Sequence, residues 1–102
     1  MTCGPVLTEV LQGLREGPHS NEVRVALMEL PRLSDPMPLD IFLRAAALFR
    51  NGRQRGLTIR STIDCIIAAV AIEHNATVWH KDRDFSTIAR YSPLRVVSKQ
   101  VI

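Results

Sequence analysis

Aromatic residues are scarce in this chain, with three Phe, one Tyr and one Trp making up 5% of 102 residues. Its core therefore has to be built from Leu, Ile, Val and Ala. Cysteine is scarcer still, with only Cys3 and Cys65. Two lone cysteines exclude the disulfide framework of a small secreted domain. Cys65 lies in an apolar run, where a free thiol behaves as a small hydrophobe. Long apolar runs are missing too. The longest, Cys65 to Ile72, is eight residues, far below the ~18 residues of a membrane span. The start, Met1-Thr2-Cys3-Gly4-Pro5, lacks the basic residues and the apolar stretch of a signal peptide. These absences predict a cytoplasmic protein with no membrane partner. No Gly-rich phosphate loop and no G-x-S-x-G elbow is present. His19, His74 and His80 are scattered without zinc-ligand spacing.

What is present is a globular composition, 46% hydrophobic, of a length that predicts one domain. The formal net charge of +3 permits a nucleic-acid partner without demanding one. Val6, Leu7, Val10, Leu11 and Leu14 recur at three- and four-residue spacings, one stripe of a helix that Pro5 opens and Gly17-Pro18 ends. A second helix is expected over about 21–30, with Val23, Leu27 and Leu30 facing inward and Pro31 as its stop. Residues 33–38 read as a loop or a brief edge strand. A third helix is expected over about 39–50, closed by Asn51-Gly52, with a basic loop after it.

Ser61 or Thr62 can cap a fourth helix through Asp64-Cys-Ile-Ile-Ala-Ala-Val-Ala-Ile72, where the alanines favour helix over strand. Residues 76–80 are β-branched and aromatic, a strand. Residues 81–84 form a polar turn, and 85–91 a short helix that Asp84 can cap. A last strand covers about 94–98. Helix, strand, helix, strand is the rhythm of a parallel sheet covered by helices.

Three acids stand out. Asp64 occupies the first turn of the most apolar helix. A carboxylate beside so much apolar surface is costly unless paired or coordinated, although a first-turn acid also gains about 0.3–1 kcal/mol from the helix dipole. Asp82 and Asp84 stand two apart directly after a strand, where ligands gather in parallel α/β folds. Two carboxylates there can share a hard cation, or they can simply cap and turn the chain. Glu9 lies off the apolar stripe of its helix, as a solvated surface residue would. Arg50, Arg53, Arg55, Arg60, Lys81, Arg83 and Arg90 surround these acids in sequence. They serve solubility or phosphate neutralisation.

The segment Thr58-Ile-Arg-Ser-Thr-Ile-Asp64-Cys-Ile-Ile-Ala-Ala-Val-Ala-Ile-Glu-His, followed by Val78-Trp-His-Lys-Asp82-Arg-Asp84-Phe-Ser-Thr-Ile-Ala, resembles the C-terminal half of PIN-domain toxins. The VapC family of type II toxin–antitoxin systems is the group it resembles in particular. Gly4-Pro-Val-Leu-Thr-Glu9-Val-Leu-Gln-Gly-Leu is similar to the family's helix that carries a catalytic Glu. The resemblance implies a three-layer α/β/α fold with a parallel sheet. It implies a Mg²⁺- or Mn²⁺-dependent endoribonuclease with Glu9, Asp64, Asp82 and Asp84 as catalytic and metal-site acids. Arg60, Lys81 and Arg83 would contact RNA, a cognate antitoxin would restrain the enzyme, and the chain would homodimerise.

The family pattern opens with a strand carrying a further catalytic Asp, and Met1-Thr2-Cys3 corresponds to the end of its second strand. Residues 1–102 are therefore expected to be a single, incomplete PIN-like domain lacking the first strand and most of the second, unstable and inactive alone. Two other readings stay open at this point. One is a catalytically dead remnant that only binds an antitoxin or a toxin chain. The other is a small helical interaction domain whose acids decorate its surface.

Overall fold

The computed structural model describes residues 1–80 and 82–98. Five helices and two strands follow one another: α1 (Gly4–Gln12), α2 (Ser20–Glu29), α3 (Leu39–Gln54), α4 (Thr62–Glu73), β1 (Thr77–His80), α5 (Arg83–Ala89) and β2 (Arg95–Ser98). They fall into two compact units, Met1–Pro36 and Met37–Ile102.

In the first unit, Pro5 occupies the opening turn of α1, as expected. The helix stops at Gln12 with Gly13 as its cap, short of Gly17-Pro18. Neither α1 nor α2 buries an apolar side chain fully. Val23 and Leu30, expected to face inward, are exposed, and Leu27 is half-buried. Residues 33–38 form no strand. One parallel bridge joins Thr2 to Arg32, with the Thr2 N–H donating to Pro31 O at 2.9 Å and the Leu33 N–H donating to Thr2 O at 2.7 Å.

The core of the second unit is α4. Cys65, Ala68 and Ala69 have no exposed surface, and Ile67, Val70 and Ala71 are also buried. Small side chains over a whole turn let neighbouring elements approach closely, and α3 supplies Ile41, Ala45 and Leu48 to the same core. After α4, Asn75 adopts a left-handed φ of 52°, a conformation Asn tolerates better than most residues. The chain then enters β1, which pairs in parallel with β2 in the register Val78↔Val96 and Trp79↔Val97. An α/β arrangement with a parallel sheet is thus present.

One boundary departs from expectation. Helix α3 runs through Asn51-Gly52 to Gln54. It is closed instead at Gly56, whose φ is +74°. There the Gly56 N–H donates to Arg53 O at 3.0 Å and the Leu57 N–H to Gly52 O at 2.9 Å, the paired bonds of a Schellman ending. Gly52 serves packing. A Cβ there would meet the Tyr91 hydroxyl at 2.7 Å and Ile59 Cγ1 at 3.2 Å, and that hydroxyl donates to Leu48 O at 2.7 Å.

Candidate metal centre

The site begins with the extended residue that precedes α4. Ser61 has φ −121° and ψ 118°, and its Oγ accepts the Asp64 N–H at 3.2 Å. This satisfies one of the orphan donors of the first helical turn. It also fixes where the helix starts, and so where Asp64 stands. Asp64 is only 3% exposed.

At α5 the roles of the two acids differ from the simple expectation. Asp82, not Asp84, caps the helix, its Oδ1 accepting the Asp84 N–H at 3.1 Å. Asp84 lies inside the first turn and is 1% exposed. Its Oδ2 accepts two backbone N–H groups, from Arg60 at 3.0 Å and from Ser61 at 2.9 Å. These bonds tie the loop before α4 to the start of α5, and so bring Asp84 of α5 to the mouth of α4. Asp84 Oδ1 is buried and has no hydrogen-bond partner among the described residues.

Asp64, Asp82 and Asp84 each offer one carboxylate oxygen, and the three oxygens lie within 4.8 Å of one another. Two of these acids are buried and Asp82 is exposed. Three carboxylates at this spacing repel one another unless positive charge lies between them. The helix N-termini of α4 and α5 offset part of that charge. A hard divalent cation fits the remainder, because the donor set is entirely oxygen and the buried Asp84 Oδ1 is otherwise orphaned. The acids also act on the adjacent thiol. Burial, aided by the negative charges of Asp84 and Asp64, pushes Cys65 up to about 11. It is therefore a packed thiol at neutral pH rather than a nucleophile.

The remaining candidate residues are not part of this three-acid group. Glu9 is exposed on α1, in the first unit. The side chains of Arg60 and Arg83 are exposed, and it is the backbone of Arg60 that touches an acid. Lys81 lies outside the described residues. His80, at the end of β1, packs its ring against Phe85 with centroids 5.1 Å apart. The link that composition and spacing did not reveal is the Arg60–Ser61 backbone. A serine three residues before Asp64 signals a cap, but nothing local signals that its own N–H holds Asp84 across 23 residues.

The chain matches the family pattern described as PIN domain over residues 1–91. It is 40% identical over 97 residues to VapC ribonuclease Mb1587 of Mycobacterium bovis, a match covering 94% of this chain and 71% of that protein. Ribonuclease VapC11 of Mycobacterium tuberculosis gives the same identity and coverage. With three carboxylates converging at the mouths of two helices and a match of this extent, the chain belongs to the PIN-domain family and, within it, to the VapC ribonucleases.

Proposed function

We propose that this chain is the toxin of a toxin–antitoxin pair, a cytoplasmic endoribonuclease that hydrolyses RNA phosphodiester bonds with Mg²⁺ or Mn²⁺. The observation that carries the reading is the convergence of Asp64, Asp82 and Asp84 within 4.8 Å, with a buried Asp84 oxygen left for a ligand. Glu9 is a further catalytic acid in this proposal, on the strength of its helix's resemblance to the family's alone.

Each acid has a distinct task in this reading. Asp84 spends Oδ2 on two backbone donors, so Oδ1 would be its ligand atom. Asp82 spends Oδ1 on its helix cap and has Oδ2 for the site. Asp64, held at the opening of α4, supplies the third oxygen. Asp64, Asp82 and Asp84 would hold a divalent ion, which would lower the pKa of a bound water and screen the charge that builds on the phosphate. The exposed guanidinium groups of Arg60 and Arg83, with Lys81, draw in the RNA backbone and hold phosphate oxygens.

A cognate antitoxin and a second copy of the chain are the protein partners in this reading. In the second unit, Leu39, Phe42 and Leu43 are exposed. Phe42 also lines a cavity of about 330 Å³, together with Ala45, Ala46, Phe49 and Ile66 and the polar Arg50 and Thr62, which suits the largely apolar face of a partner helix.

The test is cleavage of a mixed cellular RNA substrate by the chain carrying the opening strand of the family pattern. Cleavage in Mg²⁺ or Mn²⁺, its loss in EDTA, and its loss in Asp64→Asn are expected. Metal-independent cleavage, or near-normal cleavage by Asp64→Asn with Mn²⁺, would contradict the proposal.

A further inference from the structure

We infer that Ser61 is a positioning residue for the metal centre, holding Asp64 and Asp84 at the spacing one cation needs. The inference rests on the metal-centre reading given above. Ser61 joins the two buried acids through two different groups. Its backbone N–H donates to Asp84 Oδ2 at 2.9 Å, and its Oγ accepts the Asp64 N–H at 3.2 Å. The Arg60 N–H adds a second donor to the same Asp84 oxygen at 3.0 Å. Two donors on Oδ2 fix the carboxylate plane, so Asp84 Oδ1 has one direction left. The chain of bonds continues through the Asp84 N–H to Asp82 Oδ1. All three acids are thereby tied to one another, and Ser61 is the residue that bonds at both of the buried ones.

A helix cap alone asks less of this position. Gly caps a helix nearly as well as Ser, so a residue that only starts α4 tolerates Ser61→Gly. A residue that sets the distance between two carboxylates does not, because glycine removes Oγ and frees the backbone whose N–H holds Asp84. Partners in the shell outside the metal ligands orient those ligands, and their loss weakens metal binding without touching the ligand set. Ser61 is half-buried, and its hydroxyl is part of the same hydrogen-bonded wall as the acids.

The experiment is Mn²⁺ titration of the full chain, followed by the electron paramagnetic resonance of free Mn²⁺, with thermal melts of each variant alongside. Ser61→Ala and Ser61→Gly are expected to weaken Mn²⁺ binding about tenfold, and Ser61→Thr, which keeps an Oγ, to bind as wild type does. Ser92→Ala is the control. Ser92 Oγ donates to Ile88 O at 2.8 Å and accepts the Leu94 N–H at 3.3 Å, at the opposite end of α5. Its loss is expected to lower the melting temperature and leave Mn²⁺ binding unchanged. If Ser61→Ala does not fold, Ser61→Gly carries the comparison. Mn²⁺ binding that is lost in Asp64→Asn but untouched in the Ser61 variants overturns this inference alone. Equal weakening in Ser92→Ala also overturns it, since stability then explains the effect. Absence of Mn²⁺ binding by the wild-type chain overturns both this inference and the metal centre.

Discussion

Asp84 does two jobs that substitution separates. Its Oδ2 holds the Arg60 and Ser61 N–H groups, and its Oδ1 is buried with no hydrogen-bond partner among the described residues. Asp84→Asn keeps an oxygen for the two donors and removes one negative charge from a crowded cluster. In EDTA this variant is expected to melt no lower than wild type, while losing metal affinity. Asp84→Ala leaves two N–H groups without an acceptor and is expected to cost about 1–3 kcal/mol of stability relative to Asp84→Asn. Chemical denaturation of the three proteins in EDTA decides it, and equal stability of the Ala and Asn variants would remove Asp84 as the anchor of that loop.

Cys65 gives a second test at the same scale. Its folded-state pKa is raised above the ordinary 9.0, to about 11, by burial first and the two carboxylates second. Between those values the folded chain keeps a proton that the unfolded chain has released. Stability from this group is therefore complete below pH 9 and is lost as pH rises towards 11. Cys65→Ala is expected to flatten that alkaline loss. Cys3 is also buried, with its thiol shifted in the same direction by burial. Neither thiol should react with Ellman's reagent at pH 8 until the chain unfolds. Rapid labelling of the native chain would contradict the packing described for them.

At the scale of elements, the sequence's periodicities marked every helix and both strands, because apolar spacing and alanine content are local properties. Ends were harder. Asn51-Gly52 resembles a helix stop, yet α3 continues to Gln54 because Gly52 answers to Tyr91, 39 residues later in the chain. No local pattern carries that contact. The same limit applies at the site. Asp64, Asp82 and Asp84 were legible as candidates from their positions at a helix mouth and after a strand. Which acid caps α5 was not, since both Asp82 and Asp84 have the right chemistry and only the Arg60–Ser61 donors turn Asp84 inward. The expected inward face of α2 failed for a related reason. Amphipathic spacing defines a stripe, but burial needs surface to cover it, and a unit of 36 residues offers little.

Gly52→Ala tests the packing of α3 directly. Alanine gains helix propensity, but its Cβ would sit 2.7 Å from the Tyr91 hydroxyl and displace the bond to Leu48 O. A net loss of about 1–3 kcal/mol is expected. Tyr91→Phe removes the clashing oxygen, so the double variant should lose less than the sum of the two single ones. Additive losses would mean that Gly52 and Tyr91 do not meet.

At the scale of the whole molecule, a cation bound by the three carboxylates, as proposed, would make the chain more stable. Anything that binds only the folded state stabilises it by mass action, about 2.7 kcal/mol at a ligand concentration 100 times Kd. Mn²⁺ is expected to raise the melting temperature of the wild-type chain and leave that of Asp64→Asn nearly unchanged. The net charge of +3 supports RNA approach only weakly, so the acids, not the overall field, have to account for the chemistry. No helix among the described residues is long and apolar enough to cross a membrane. The most direct measurement is the anomalous scattering of Mn²⁺ diffused into crystals of the chain. A peak bounded by carboxylate oxygens of Asp64, Asp82 and Asp84 is expected, absent when Asp64 is replaced by Asn. A manganese peak elsewhere with none between these three acids would contradict it.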